Sequence, residues 1–197
     1  MSARATAATV ARGAILFGAL SSACAAGPTP GAAAERGSVA ALPKGTRATD
    51  FAVRDTKGRT VRLSDYLGKE VVLLDFWATY CEPCLGEMPH LEAMYEENKA
   101  KGFVIIALAM DGPETVAEVP SFVARNGLTF PVAADADSHV ASIYNPKSSA
   151  PLSVLIDRSG NVVRVREGYN PGDEALVAED VARAVEALPA ARAEPEK

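Results

Sequence analysis

The stretch Val71-Val72-Leu73-Leu74-Asp75-Phe76-Trp77-Ala78-Thr79-Tyr80-Cys81-Glu82-Pro83-Cys84 decides the fold. Its first half is an apolar run of strand length. The segment from Leu85 to Asn98 then carries helical periodicity, so a buried strand delivers two thiols to the start of a helix. Two cysteines at that spacing can close a reversible disulfide within one turn. Thiol–disulfide exchange needs an attacking thiolate, a second thiol that resolves the mixed disulfide, and access for a partner. Cys81, at or just before the first helical turn, meets unpaired N–H groups and the positive end of the helix dipole, which stabilise a thiolate. Cys84 lies one turn inward and is more shielded. Cys81 is therefore the expected nucleophile and Cys84 the resolving thiol. Pro83 is tolerated there because a first-turn N–H has no intrahelical partner. A structural zinc site would need two further ligands. The chain has no second cysteine pair, and His90 and His139 lack a finger-like spacing, so neither a metal nor another cofactor is expected.

The 197 residues, 48% hydrophobic, are enough for one substantial core. The net charge of −5 is spread along the chain without a Lys/Arg block, so neither nucleic acid nor an anionic membrane surface is an expected partner. Arg4 and Arg12, the apolar run Gly13 to Leu20 and the small residues Ser21 to Ala26 make residues 1–26 a signal peptide. The apolar run falls short of the roughly 20 residues of a spanning helix. Three cysteines in an exported chain leave one thiol over, Cys24. Leu20-Ser21-Ser22-Ala23-Cys24 resembles a bacterial lipoprotein signal, with Ser21 standing where an aliphatic residue is usual; Cys24 would then carry a lipid anchor to the membrane. Cleavage just beyond Cys24 would discard it, and an uncleaved free thiol is the third reading. Residues 27–46, rich in Ala, Gly and Pro, read as a flexible linker, residues 47–188 as the folded domain and residues 189–197 as a flexible tail.

Within the domain, Phe51–Asp55 and Thr60–Leu63 alternate around a turn-rich spacer and predict a hairpin. A strand at 71–77, a helix at about 82–100 and a second apolar strand at 103–109 imply a right-handed parallel crossover. A helix from Pro113 to Asn126, a short strand at 130–133 and a short helix at 138–144 follow. A second hairpin formed by 152–157 and 162–166, then a helix from about Asp173 to Leu188, complete the order. The sum is an α/β three-layer sandwich with a mixed sheet, an N-terminal β-hairpin and a strand-helix insertion.

Phe76 to Cys84, followed by Glu87-Met88-Pro89 and, later, Pro151, resembles the thioredoxin superfamily, and within it the exported TlpA-like and ResA-like thiol-disulfide oxidoreductases. The resemblance covers roughly residues 44 to 188. Tyr80 replaces the more usual Trp at the rim. Pro89 interrupts the helix ladder and kinks it, or else ends the helix. Asp75 matches the buried aspartate that handles the proton of the inner cysteine, against the alternative of a carboxylate in a structural hydrogen bond; burying it without a purpose is costly. Glu87 aligns with an acidic residue linked to thiol properties, and equally fits a solvated helix position. Glu82 opposes a thiolate on Cys81, which biases the pair towards electron donation. Pro151, after Ala150, matches a cis-proline opposite the cysteines that exposes backbone for an extended substrate. Trp77 and Tyr80 are assigned to the contact surface, core packing being an equal reason for Trp77.

The resemblance implies a protein-disulfide reductase. Its electron donor is a membrane thiol-disulfide transporter, and its substrate an exported disulfide-containing protein, with apocytochrome c the leading candidate. Two rivals stand beside it. A peroxiredoxin-like thiol peroxidase shares the fold, but its proline-and-threonine approach to the reactive cysteine is missing here. A Sco-type copper-binding protein spaces its cysteines one residue further apart, and His139 has no partner motif.

Overall fold

The computed structural model describes residues 42–187. The signal segment with Cys24, linker residues 27–41 and the tail lie outside the described residues. The hairpin of β1 (Ala52–Arg54) and β2 (Thr60–Arg62) leads to β3 (Val71–Trp77), α1 (Glu82–Asn98) and β4 (Phe103–Ala109). There follow α2 (Val119–Arg125), β5 (Val132–Ala134), α3 (His139–Tyr144), β6 (Leu152–Ile156), β7 (Val162–Glu167) and α4 (Asp173–Glu186). The main sheet runs β5-β4-β3-β6-β7, parallel across β5, β4 and β3 and antiparallel from β3 through β6 to β7. This is the mixed α/β sandwich expected from the sequence.

Every residue of β3 and of β4 is buried. Strands covered on both faces have no polar side to show, which is why both read as continuous apolar runs. The alternation still assigns faces. Val71, Leu73 and Trp77 join a core with α1, α2 and α4, whereas Val72, Leu74 and Phe76 join a second core with the hairpin and α3. Asp75, between Leu73 and Trp77, therefore points under α1 and α4.

Three boundaries depart from the sequence reading. The helix expected from Pro113 begins only at Val119, after a short 3-10 turn at Val116–Glu118. Pro120 explains this, since a ring without an N–H fits a first turn and would break the interior of a longer helix. The strand expected from Phe130 begins at Val132, because Pro131 cannot donate to a ladder, although its carbonyl accepts from Ala107 N at 2.9 Å. The folded chain also starts before residue 47: Gly45 N donates to the Val162 carbonyl at 2.7 Å and Val162 N to the Thr46 carbonyl at 2.8 Å. The helix through Pro89 continues to Asn98, so that proline does not end it.

Short elements here depend on buried acids. Asp135, 3% exposed, accepts from Val140 N at 3.0 Å and Ala141 N at 2.7 Å, fixing the first turn of α3. Six residues do not hold a helix unaided. Replacing Asp135 by Ala is expected to cost about 1–3 kcal/mol in denaturant unfolding, with Asp135→Asn losing less because its amide oxygen still accepts.

Candidate active site

Cys81 is the N-cap of α1, in extended backbone conformation, and its Sγ accepts from Cys84 N at 3.3 Å. Pro83 occupies the first turn as expected. The two sulfurs are bonded at 2.04 Å. Cys84 is 1% exposed whereas Cys81 is only half-buried, so a partner reaches Cys81 first.

The loop before Cys81 is held by a group the sequence reading passed over. Asp111, fully buried just after β4, accepts from Thr79 N at 3.1 Å and from the Thr79 hydroxyl. The adjoining Met110 N donates to the Trp77 carbonyl at 2.8 Å. Asn145, 1% exposed, donates to Met110 Sδ at 3.3 Å and to the Ser149 carbonyl at 2.7 Å, and its Oδ1 accepts from Ser149 N at 2.9 Å. These contacts join the cysteine loop to the segment entering Pro151. Its one sequence signal was the placement of Asp111 two residues beyond a buried strand.

Ala150–Pro151 is a cis peptide. Leu152 pairs with Phe76, so the proline sits at the end of the sheet from which the cysteine loop departs. The Pro151 carbonyl accepts from Gly168 N at 2.8 Å. The free backbone here is that of exposed Ala150, whose N–H and carbonyl have no partner among the described residues. Tyr80, 69% exposed beside Cys81, stands at the rim. Trp77 does not: it is fully buried and its ring lies 4.9 Å from that of Phe122, so its assignment to the contact surface is corrected to the core. Its Nε1 is buried without a hydrogen bond.

One buried carboxyl lies under the cysteine helix and a second is carried on it. Asp75 is 1% exposed and its Oδ1 has no hydrogen-bond partner, which excludes a structural bond at that oxygen. Burial and then the Glu87 charge push its carboxyl well above the usual range. Glu87, one turn beyond Cys84 on α1, is 5% exposed rather than solvated. Burial, with the charges of Asp173 and Glu174 at the start of α4, raises it to about 7. Tyr169 covers this junction, donating to Glu174 at 3.0 Å and crossing α1 beside Gly86, where an added Cβ would stand 3.8 Å from its ring. Glu82, by contrast, is exposed in the first turn. Among the described residues, His90 and His139 do not join the thiols in a metal-binding group.

A half-exposed sulfur on a helix N-terminus, a buried resolving sulfur and carboxyls beneath them define a thioredoxin-like thiol-disulfide oxidoreductase. The chain belongs to the AhpC/TSA family, whose pattern matches residues 44–165. It is 37% identical over 148 residues to the thiol-disulfide oxidoreductase ResA of Geobacillus kaustophilus, covering 75% of this chain and 79% of that one. Against ResA of Halalkalibacterium halodurans the identity is 40% over 124 residues, covering 63% and 68%. Among solved structures, a candidate thiol:disulfide interchange protein DsbE from Chlorobium tepidum matches with a TM-score of 0.67 and 36% identity, over 73% of this chain and 99% of that one.

Two outcomes test the site. Asp111→Ala removes the acceptor of the half-buried Thr79 N–H and hydroxyl, and is expected to cost about 1–3 kcal/mol in denaturant unfolding and to slow disulfide reduction. For Glu87 the sign of the pH effect follows from its raised carboxyl. The folded chain favours the protonated form, so this stabilisation is full below pH of about 4.5 and is lost as pH rises through about 7. Glu87→Gln is thus expected to stabilise the oxidised protein by about 1–3 kcal/mol at pH 8 and to change little at pH 4, as read by urea melts.

Proposed function

We infer that this oxidoreductase acts outside the cytoplasm, as a reductant of disulfides in exported proteins. The observation that carries the direction of electron flow is the concentration of carboxyl groups around the pair, with Glu82 beside Cys81 and Asp75 and Glu87 buried beneath. The Glu82 charge, and the cost of placing a further charge beside two buried carboxyls, oppose the thiolate form, and a less stabilised dithiol is the stronger electron donor. Cys81 attacks the substrate disulfide and Cys84 resolves the mixed disulfide, with Asp75 taking the Cys84 proton. Tyr80 and the Ala150 backbone offer the substrate a rim and a strand-pairing edge.

The partners follow from the resemblance and the leader. A membrane thiol-disulfide transporter recharges the pair, and an exported protein with paired cysteines, apocytochrome c foremost, is the substrate. Cys24 either anchors the protein by a lipid or is removed with the signal, which the mass of the mature N-terminus distinguishes. An equilibrium redox titration of Cys81–Cys84 tests the direction: about −250 mV or lower is expected, and a value near about −120 mV would make the protein an oxidant. Cys81→Ser is expected to abolish disulfide reduction, and unchanged turnover would refute the mechanism.

A further inference from the structure

The buried acid needs a way to pass on its proton, and the sheet register shows where a polar one exists. Asp75 pairs on one side with Ala107 of β4 and on the other with Ser153 of β6. Directly paired residues of neighbouring strands point to the same face, with Cβ atoms about 4.5–5.5 Å apart. Ala107 offers no polar atom. Ser153 does, and it is 93% buried by virtue of its 7% exposure, with a hydroxyl that has no partner among the described residues. Its other neighbour in register is Arg166 of β7. Ser153 also lines a narrow cleft between the sheet and α4, together with Leu73, Leu155, Arg164, Arg166 and Asp180. Asp75 Oδ1, itself without a partner, thus has beside it on β6 one hydroxyl-bearing residue that shares its face of the sheet and lines the cleft.

We propose that Ser153 is the proton relay between Asp75 and solvent, opening through the cleft under α4 rather than through the substrate face. This rests on the reading of Asp75 as the proton acceptor for Cys84. In the resolving step Cys84 gives its proton to Asp75 and its thiolate attacks the Cys81 sulfur. The Cys81–Cys84 bond forms, the bond from Cys81 to the substrate sulfur breaks, and the electron pair leaves with that sulfur. In the same step the proton Asp75 already carries passes from its other oxygen to the Ser153 oxygen as Ser153 releases its own hydroxyl proton to solvent in the cleft. Ser153 acts through Asp75 and touches neither sulfur nor substrate, so it is a positioning residue.

The charged groups around this path are few and mostly tied to one another. From α1 comes Glu87, backed by Asp173 and Glu174 of α4. At the cleft, Asp180 is bound by Arg166 Nε at 3.0 Å, Arg164 Nε at 3.1 Å and Arg183 Nη2 at 2.8 Å. Burial raises the Asp180 carboxyl, but the arginine hydrogen bonds and charges outweigh that and hold it below its ordinary value. Asp180 therefore stays ionised and paired, and does not store the proton. Glu87 is the competing exit, on the α1 side.

A chromogenic aryl disulfide mixed with the reduced full-length protein separates the two steps, releasing one aryl thiolate on Cys81 attack and a second on Cys84 resolution. Ser153→Ala is expected to leave the first phase unchanged and to slow the second about tenfold at pH 7, a fraction of the about 100-fold or more that positioned proton transfer contributes. The solvent deuterium isotope effect of the second phase should rise, and Ser153→Thr, which keeps the hydroxyl, should restore the rate. Adding Ser153→Ala to Asp75→Asn should slow the reaction no further than Asp75→Asn alone. A second phase in Ser153→Ala with wild-type rate, isotope effect and pH profile overturns the relay. If Glu87→Gln is slow in the same assay while Ser153→Ala is not, the proton leaves along α1 and the relay is wrong. A normal second phase in Asp75→Asn overturns the underlying reading of Asp75 itself, an outcome distinct from failure at Ser153 alone.

Discussion

The register of β3 is the constraint on which the rest of the molecule depends. It is bonded on both sides, to β4 along its whole length and to β6 from Val72 to Phe76, so it cannot slide without breaking two ladders. A slip of one residue would send every side chain to the opposite face. Asp75 would leave the space beneath α1, and Leu74 and Phe76 would lose the core they share with α3 and the hairpin. The same register sets where the cysteine loop leaves the sheet and which residue of β6 faces the buried acid.

Much of this was legible because burial on both faces leaves a strong mark. The runs 71–77 and 103–109 needed no alternation to be read as central strands, and the spacing of Cys81 and Cys84 carried their chemistry. Turn chemistry was legible too: Gly160, at a φ of 83°, closes the hairpin between β6 and β7 where a side chain would be strained. What escaped was whatever a distant segment decides. Asp111 reads as an ordinary residue after a strand until Thr79, 32 positions earlier, is brought against it. Glu87 sits on a helix whose pattern allows water as readily as core, and the fold buries it near the start of α4. Trp77 carries both an apolar body and a polar tip, so composition could not place it; the packing of Phe122 from α2 did.

The hydrogen-bond chain from Thr79 through Asp111, Met110 and Asn145 to Ser149 has a consequence for access. It ties the cysteine loop to the segment carrying Ala150 and Pro151, two pieces of backbone that lie some seventy positions apart. In the proposed binding mode, a substrate strand paired with the Ala150 backbone is thereby held in fixed relation to Cys81. Buried, fully used polar groups such as Asn145 make such a link stiff, because releasing any one bond strands a polar atom in the core. On the proposed reading, rigidity at the rim presents the half-exposed Cys81 sulfur, with Tyr80 beside it, as the point of contact.

The two sulfurs live in opposed electrostatic surroundings. Cys81 takes the N–H groups at the start of α1, which favour negative charge on the sulfur that partners meet. Cys84 sits in the apolar cluster on the Asp75 face of the sheet, where burial and two neighbouring carboxyls oppose charge. In the proposed cycle the thiolate forms at Cys81, where attack on a substrate begins, and Cys84 gives up its proton only as it resolves. On the proposed reading Asp75 serves as the acceptor only if its own proton has somewhere to go. In a core this apolar, the polar neighbour through which it empties matters as much as the acid itself.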